Sequence, residues 1–355
     1  MTELLKTITE LSHEFGTDLY VKGGGGNTSC KTADTLWVKP SGTTLVGLKP
    51  ETFVEMDRAK LKQLFTLAIP ADKTAREALV KDTMAAAVKA GQTGRPSVEA
   101  PLHDVLGGTY VVHTHPALVN GMTCSKQGAG VCGRLFPDAL WVPYTDPGYT
   151  LCVDVNRRIQ ERRAQRGELN LLILENHGIF VSGNSAAEVR AIYQRVMTAL
   201  RSQYEATGVK MDLRMGAPAA ADVVQSVTER LQNWLGSEAA AVVSSAPFAA
   251  AEGPICPDHI VYSKSYAYRG ELSKEGLTSF RARHGYAPRV VVTPSAVFGV
   301  GGSLKQAQLA LELAQDGALV AQLAAAYGGL QCLSDAARAF IENWEVESYR
   351  SKLMA

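Results

Sequence analysis

Leu4, Ile8, Leu11 and Phe15 fall at helical spacing, so residues 1–15 are expected to form an amphipathic helix without the apolar core of a signal peptide. Tyr110 to Val112 is β-branched or aromatic and predicts a strand that runs on to His113 and ends at Pro116, which lacks a ladder donor. Leu171 to Leu174 predicts a buried strand, with Ile179 to Val181 as its return partner or continuation. Ser185 and Glu188 form a capping box that opens a long helix through about Tyr204, ended by Gly208. Residues 208–222, with Pro218 and an alanine cluster, are expected to be a linker between a domain of residues 1–207 and a second of 223–355. The second is expected to hold a helix from Val223 to Trp234, strands around Ile260 to Tyr262 and Arg289 to Thr293, and a helix from Leu304 to Tyr327.

The strand of residues 110–113 carries the first candidate chemistry. Side chains two apart on a strand share a face, so His113 and His115 stand side by side with Thr114 turned away. Two convergent imidazoles are half of a tetrahedral metal site, although a pair of this kind alone is more often two histidines satisfied by backbone or water. A third histidine, His177, sits in the bend between residues 174 and 179, followed by Gly178, where a sharp turn is sterically cheap. Ser97 is a plausible N-cap, which places Glu99 in a first helical turn with His103 four residues on. Gly23 to Gly26 followed by Asn27, Thr28 and Ser29 is not a nucleotide-binding fingerprint. Those polar residues nevertheless stand beside backbone that can approach an anion.

Composition narrows the partners. The net charge is +1 with charges interspersed, so no polyanion partner is expected, and no apolar run approaches membrane-spanning length. The six cysteines, at 30, 124, 132, 152, 256 and 332, form no C-x-x-C pair, which suggests reduced thiols and a cytoplasmic location.

Six blocks occur in order: Gly23 to Ser29; Trp37 to Thr43; Pro96 to Glu99; His113 to Pro116; Pro143 and Tyr144; and Asn176 to Gly178. Through them, residues 1–205 resemble the class II aldolase/adducin-head family. The sequence is most similar to the aldolase part of bacterial proteins that fuse rhamnulose-phosphate aldolase to a short-chain dehydrogenase, and the dehydrogenase half has no counterpart here. That similarity includes Cys256 to Val261 and Glu342 to Glu347.

The resemblance implies an α/β fold, an α/β/α sandwich around a central, mostly antiparallel sheet, with a smaller C-terminal α/β domain. It also implies that His113, His115 and His177 bind a divalent metal, zinc first, with manganese or cobalt suiting the same ligands. Glu99 corresponds to the acid/base carboxylate, and Tyr144 to a tyrosine near the site. Gly26, Asn27, Ser41, Gly42 and Ser97 correspond to residues around a substrate phosphate. Val98 stands where many short members carry a second serine. Lys39 could supply charge there, but a lysine flanking a strand is more often solvated.

The implied reaction is cleavage of a ketose 1-phosphate, of the rhamnulose or fuculose type, to dihydroxyacetone phosphate and an aldehyde through a metal-stabilised enediolate. Pentulose-phosphate 4-epimerases and decarboxylases of phosphorylated 3-oxo acids use the same type of site, and an adducin-like assembly module would keep the fold without catalysis. A sugar phosphate as substrate and a homo-oligomeric state are expected. Finally, Val290 to Gly302 aligns with Leu171 to Gly183, each followed by a helix, and Ala296 falls where His177 stands. Residues 223–355 are therefore read as a degenerate repeat without metal ligands, in which His259 and His284 are structural.

Overall fold

In this computed structural model, residues 2–92 and 94–344 are described, so Glu345 to Glu347 of one matched block lie outside them. Contacts divide the chain into two compact units, Met1–Pro116 with Cys132–Ala199, and Ala117–Val131 with Leu200–Ala355. The division does not simply follow residue 207, because Ala117–Val131 groups with the later residues.

The first unit is built on seven strands: β1 Asn27–Lys31, β2 Thr35–Val38, β3 Val54–Asp57, β4 Tyr110–Thr114, β5 Leu140–Val142, β6 Leu171–Leu174 and β7 Gly178–Gly183. Their order is β3-β2-β1-β4-β7-β6-β5, antiparallel except for the β5/β6 pair. Both faces are covered, as an α/β/α sandwich requires. On one face Ser12 of the helix Glu3–Glu14 meets Thr28 (2.7 Å), and Tyr193 of the helix Ala186–Ala206 meets Thr114 (2.8 Å). On the other, Leu102 from the helix Ala100–Val105 and Val155 and Ile159 from the helix Tyr149–Arg166 pack with Val111, Leu172 and Phe180. The period-2 alternation of β4 is thus realised: Thr114 faces one helix layer and His113 the other.

The second unit holds β8 Ala241–Ser245, β9 Tyr268–Arg269, β10 Val290–Val292 and β11 Val297–Gly301, in the order β8-β11-β10-β9. Only β9/β10 is parallel. This order and these senses repeat those of β4-β7-β6-β5. The helices Ala221–Leu235 and Lys274–His284 pack on one side with Val291 and Phe298, and the helix Leu304–Ala324 on the other with Val290 and Val297. The strand expected at residues 260–262 is instead part of the helix Pro257–Ser263. Pro257 occupies its first turn, where its missing N–H costs nothing, and this outweighs the strand preference of a short β-branched run. Residues 209–219 lie outside helices and strands. No helix among the described residues is long and apolar enough to cross a membrane.

Candidate metal centre

β4 and the β6–β7 turn bring three imidazoles together. The side-chain nitrogens of His113, His115 and His177 lie within 4.8 Å of one another, and Nε2 of His113 and Nε2 of His115 are 2.9 Å apart. Two backbone features permit the approach. Asn176 takes a left-handed conformation (φ 52°), so the turn preceding His177 is made by asparagine rather than by Gly178. Gly178 serves packing: a Cβ there would lie 2.5 Å from the Thr114 carbonyl oxygen and 2.6 Å from Cδ2 of His115.

The His113 ring is fixed from behind. Its Nδ1 donates to the Ile179 carbonyl at 2.9 Å, which leaves the Nε2 lone pair facing the cluster, and Phe180 stacks on it at 3.7 Å. Burial lowers its pKa, with the facing Glu99 opposing that shift.

Glu99 closes the cluster. Oε1 lies 3.5 Å from Nε2 of His113 and 3.4 Å from Nε2 of His177. Burial raises its pKa, but the facing histidines outweigh burial and hold the carboxyl well below its ordinary range. Lone pairs of three imidazoles and a carboxylate turned on one centre repel each other unless a cation sits among them. The donor set therefore fits a divalent metal. Among the described residues this is the one group of three or more such ligands drawn together.

Glu99 is not in a first helical turn, as its spacing from Ser97 suggested. It is the N-cap itself, and the helix begins at Ala100. The Ser97 hydroxyl accepts from the Glu99 N–H at 3.2 Å and forms a local turn instead. What holds this segment is β1, whose residues 27, 29 and 31 share one face. Asn27 donates to Oε2 of Glu99 at 2.5 Å. The Ser29 hydroxyl lies 2.7 Å from Nδ1 of His103. Lys31 donates to the carbonyls of His103 (2.5 Å) and Leu106 (2.6 Å), capping the helix C-terminus. Sequence reasoning missed Lys31, and it set Ser29 beside an anion rather than against His103. Polar residues on a short strand gave no signal of the helix that would lie along them.

The other candidates are placed as follows. Gly26 has φ +71°, and a Cβ there would lie 2.7 Å from the His113 carbonyl oxygen, so glycine is required for β1 to enter beside β4. Ser41, Gly42 and Ser97 come together because Pro40 bridges Pro96 and the Ser97 N–H donates to the Lys39 carbonyl. Lys39 itself is buried, not solvated, and its ammonium donates to the Gly24 carbonyl at 3.3 Å. The Tyr144 N–H donates to Glu175, two residues before His177, but its hydroxyl donates to Asp146 at 3.2 Å rather than entering the histidine cluster. Burial, with Asp146 adding to it, raises the Tyr144 pKa.

Residues 6–204 match the family described as the class II aldolase and adducin N-terminal domain. An uncharacterized oxidoreductase of Bacillus subtilis, YuxG, is 24% identical over 99% of this chain, which spans 59% of that relative's length. Among solved structures, an N-terminal class II aldolase domain of Thermoplasma acidophilum is 22% identical, with a TM-score of 0.48 over 56% of this chain and 92% of the other. An L-fuculose-1-phosphate aldolase of Thermus thermophilus is 13% identical, with a TM-score of 0.39 over 59% of this chain and 100% of the other. With the family match covering more than half of its residues, the chain belongs to the class II aldolase and adducin N-terminal domain family.

Proposed function

We propose that this protein is a metal-dependent aldolase that cleaves a ketose 1-phosphate of the rhamnulose or fuculose type to dihydroxyacetone phosphate and an aldehyde. The observation that carries the reading is the convergence of His113, His115 and His177 on Glu99. His113, His115 and His177 would hold a divalent cation, zinc first, and the bound cation would supply Lewis acidity toward the carbonyl and neighbouring hydroxyl oxygens of the sugar. Glu99, ionised at rest, takes or returns the proton at the carbon that bears the charge when the carbon–carbon bond breaks. Asn27 fixes one oxygen of that carboxylate and leaves the other facing the histidines. Gly26, Ser41, Gly42 and Ser97, with Asn27 beside them, would bind the phosphate through N–H and hydroxyl donors. The buried Lys39 would supply charge in place of the hydroxyl donor that Val98 lacks.

Tyr144 is assigned a lesser part, shaping the site edge through Glu175 while its hydroxyl stays with Asp146. Residues 223–355 are read as a degenerate repeat, supported by the shared strand order. There the position of His177 is taken by the buried Ala296. A cytoplasmic homo-oligomer acting on a small sugar phosphate completes the reading. The test is a retro-aldol assay on a panel of ketose 1-phosphates with and without a chelator. Cleavage abolished by chelation and restored by metal is expected, and cleavage that survives chelation would contradict the proposal.

A further inference from the structure

Three of the six cysteines gather in the second unit. Cys124 and Cys256 share an apolar cluster with Ile255 and Val320, and the Cys124 carbonyl accepts from the N–H of Gln331, the neighbour of Cys332. Among the described cysteines, Cys256 is the one whose sulfur meets an imidazole: Sγ lies 3.0 Å from Nδ1 of His259, and Nε2 of that ring lies 2.9 Å from Oδ2 of Asp316. The three are buried. Cys256 caps the helix Pro257–Ser263, which sets His259 one turn along on the same side. Gly317 makes room for the ring, since a Cβ there would lie 3.3 Å from its Cδ2.

This is a relay, not a chelate, because the imidazole uses its two nitrogens in opposite directions. The Asp316 carboxylate can only accept, so Nε2 carries a proton, and one further proton is shared between Nδ1 and the sulfur. Burial alone would lower the His259 pKa, but the Cys256 sulfur and Asp316 outweigh it and hold the ring well above its ordinary value. Burial pushes the thiols of Cys30 and Cys132 up to about 12 and that of Cys124 well above its ordinary value. His259 also walls a cavity of about 30 Å³ with Ile255, Ser263, Lys264 and Gly317. That is room for a water or a hydroperoxide and too small for a sugar.

We propose that Cys256 is a peroxide-reactive thiol, a site separate from the histidine cluster, with Cys124 as its resolving partner. The Cys256 thiolate attacks one oxygen of a hydroperoxide, a sulfur–oxygen bond forms and the oxygen–oxygen bond breaks. The departing oxygen leaves as water (or an alcohol) with the proton from His259, and sulfur is oxidised by two electrons to a sulfenate. The Cys124 thiol then attacks the Cys256 sulfur, a sulfur–sulfur bond forms as the sulfur–oxygen bond breaks, and the oxygen leaves as water with the Cys124 thiol proton and the proton that the attacked oxygen had passed to His259.

The reduced full-length protein is exposed to one equivalent of hydrogen peroxide with dimedone present, and every cysteine peptide is quantified by mass spectrometry. In Cys124→Ser, dimedone is expected on Cys256 at least about tenfold faster than on the half-exposed Cys332 or the buried Cys30, Cys132 and Cys152. Without dimedone, the unsubstituted protein is expected to give the Cys124–Cys256 disulfide. His259→Gln is expected to bring Cys256 down to the rate of the other buried thiols, with Asp316→Asn read in its place should the first variant fail to fold. Labelling of Cys124→Ser that follows exposure, Cys332 first and Cys256 last, overturns the proposal, as does an unsubstituted protein that forms no Cys124–Cys256 disulfide. So does a Cys256 rate unchanged in a folded His259→Gln.

Discussion

Asn27 donates its side-chain amide to Oε2 of Glu99 at 2.5 Å, and the two residues come from opposite sides of a strand-to-helix contact 72 positions apart in sequence. The other oxygen, Oε1, remains turned toward the rings of His113 and His177. One neutral donor therefore decides which carboxylate oxygen is free to exchange a proton. An amide can do this without adding charge beside the cation site.

Asn27→Ala is expected to lower kcat about 10–100-fold while leaving metal content near that of the unsubstituted protein, since the partner orients a site residue without itself contacting the ion. Asn27→Asp is expected to be worse, because it sets a second carboxylate against Glu99. Turnover by Asn27→Ala equal to the parent, measured with metal analysis on the same preparation, would remove Asn27 from this role.

Lys31 stands at the far end of the same strand face, and burial, opposed by Asp104, pushes its pKa down to about 7. The unfolded chain holds that proton to about pH 10.5. Burying the ammonium therefore costs its full amount below pH 7, and the cost fades as pH rises toward 10.5. The stability of the parent relative to Lys31→Met is expected to increase between pH 7 and 9. Urea midpoints of both proteins at the two pH values check this, and a constant difference would contradict it.

Gly178 lets β7 run against the end of β4. Gly178→Ala places a methyl group 2.5 Å from the Thr114 carbonyl oxygen, so strand or ring must shift. A loss of about 1–3 kcal/mol in unfolding free energy is expected, together with weaker metal binding because the His115 ring is the second atom group in the way. Chemical denaturation with metal titration of the variant measures both.

Much of the histidine cluster was legible because it rests on local periodicity. A histidine pair two apart at the end of a β-branched strand was readable even though β4 stops at Thr114, one residue short of His115, and His177 before a glycine marked the facing turn. What could not be read depends on partners distant in sequence. Ser29, Lys31 and Lys39 carry no periodic signal, and their burial follows from carbonyls and rings supplied by Gly24, His103 and Leu106. The helix start at Ala100 was displaced because the Ser97 hydroxyl can satisfy either a cap or a tight turn, and tertiary contacts chose the turn. His259 read as structural because no partner stood at metal-ligand spacing, and its contacts with Cys256 and with Asp316, 57 residues on, appear only in the fold.

The most direct test of the central claim is metal content measured on the purified protein, on His113→Ala, His115→Ala and His177→Ala, and on Glu99→Gln. About one divalent ion per chain is expected in the parent and in Glu99→Gln, with turnover in the latter reduced about 10²–10⁴-fold, and each histidine variant is expected to lose both metal and activity. A parent that binds no metal, or histidine variants that retain it at full stoichiometry, would contradict a shared ion at this cluster.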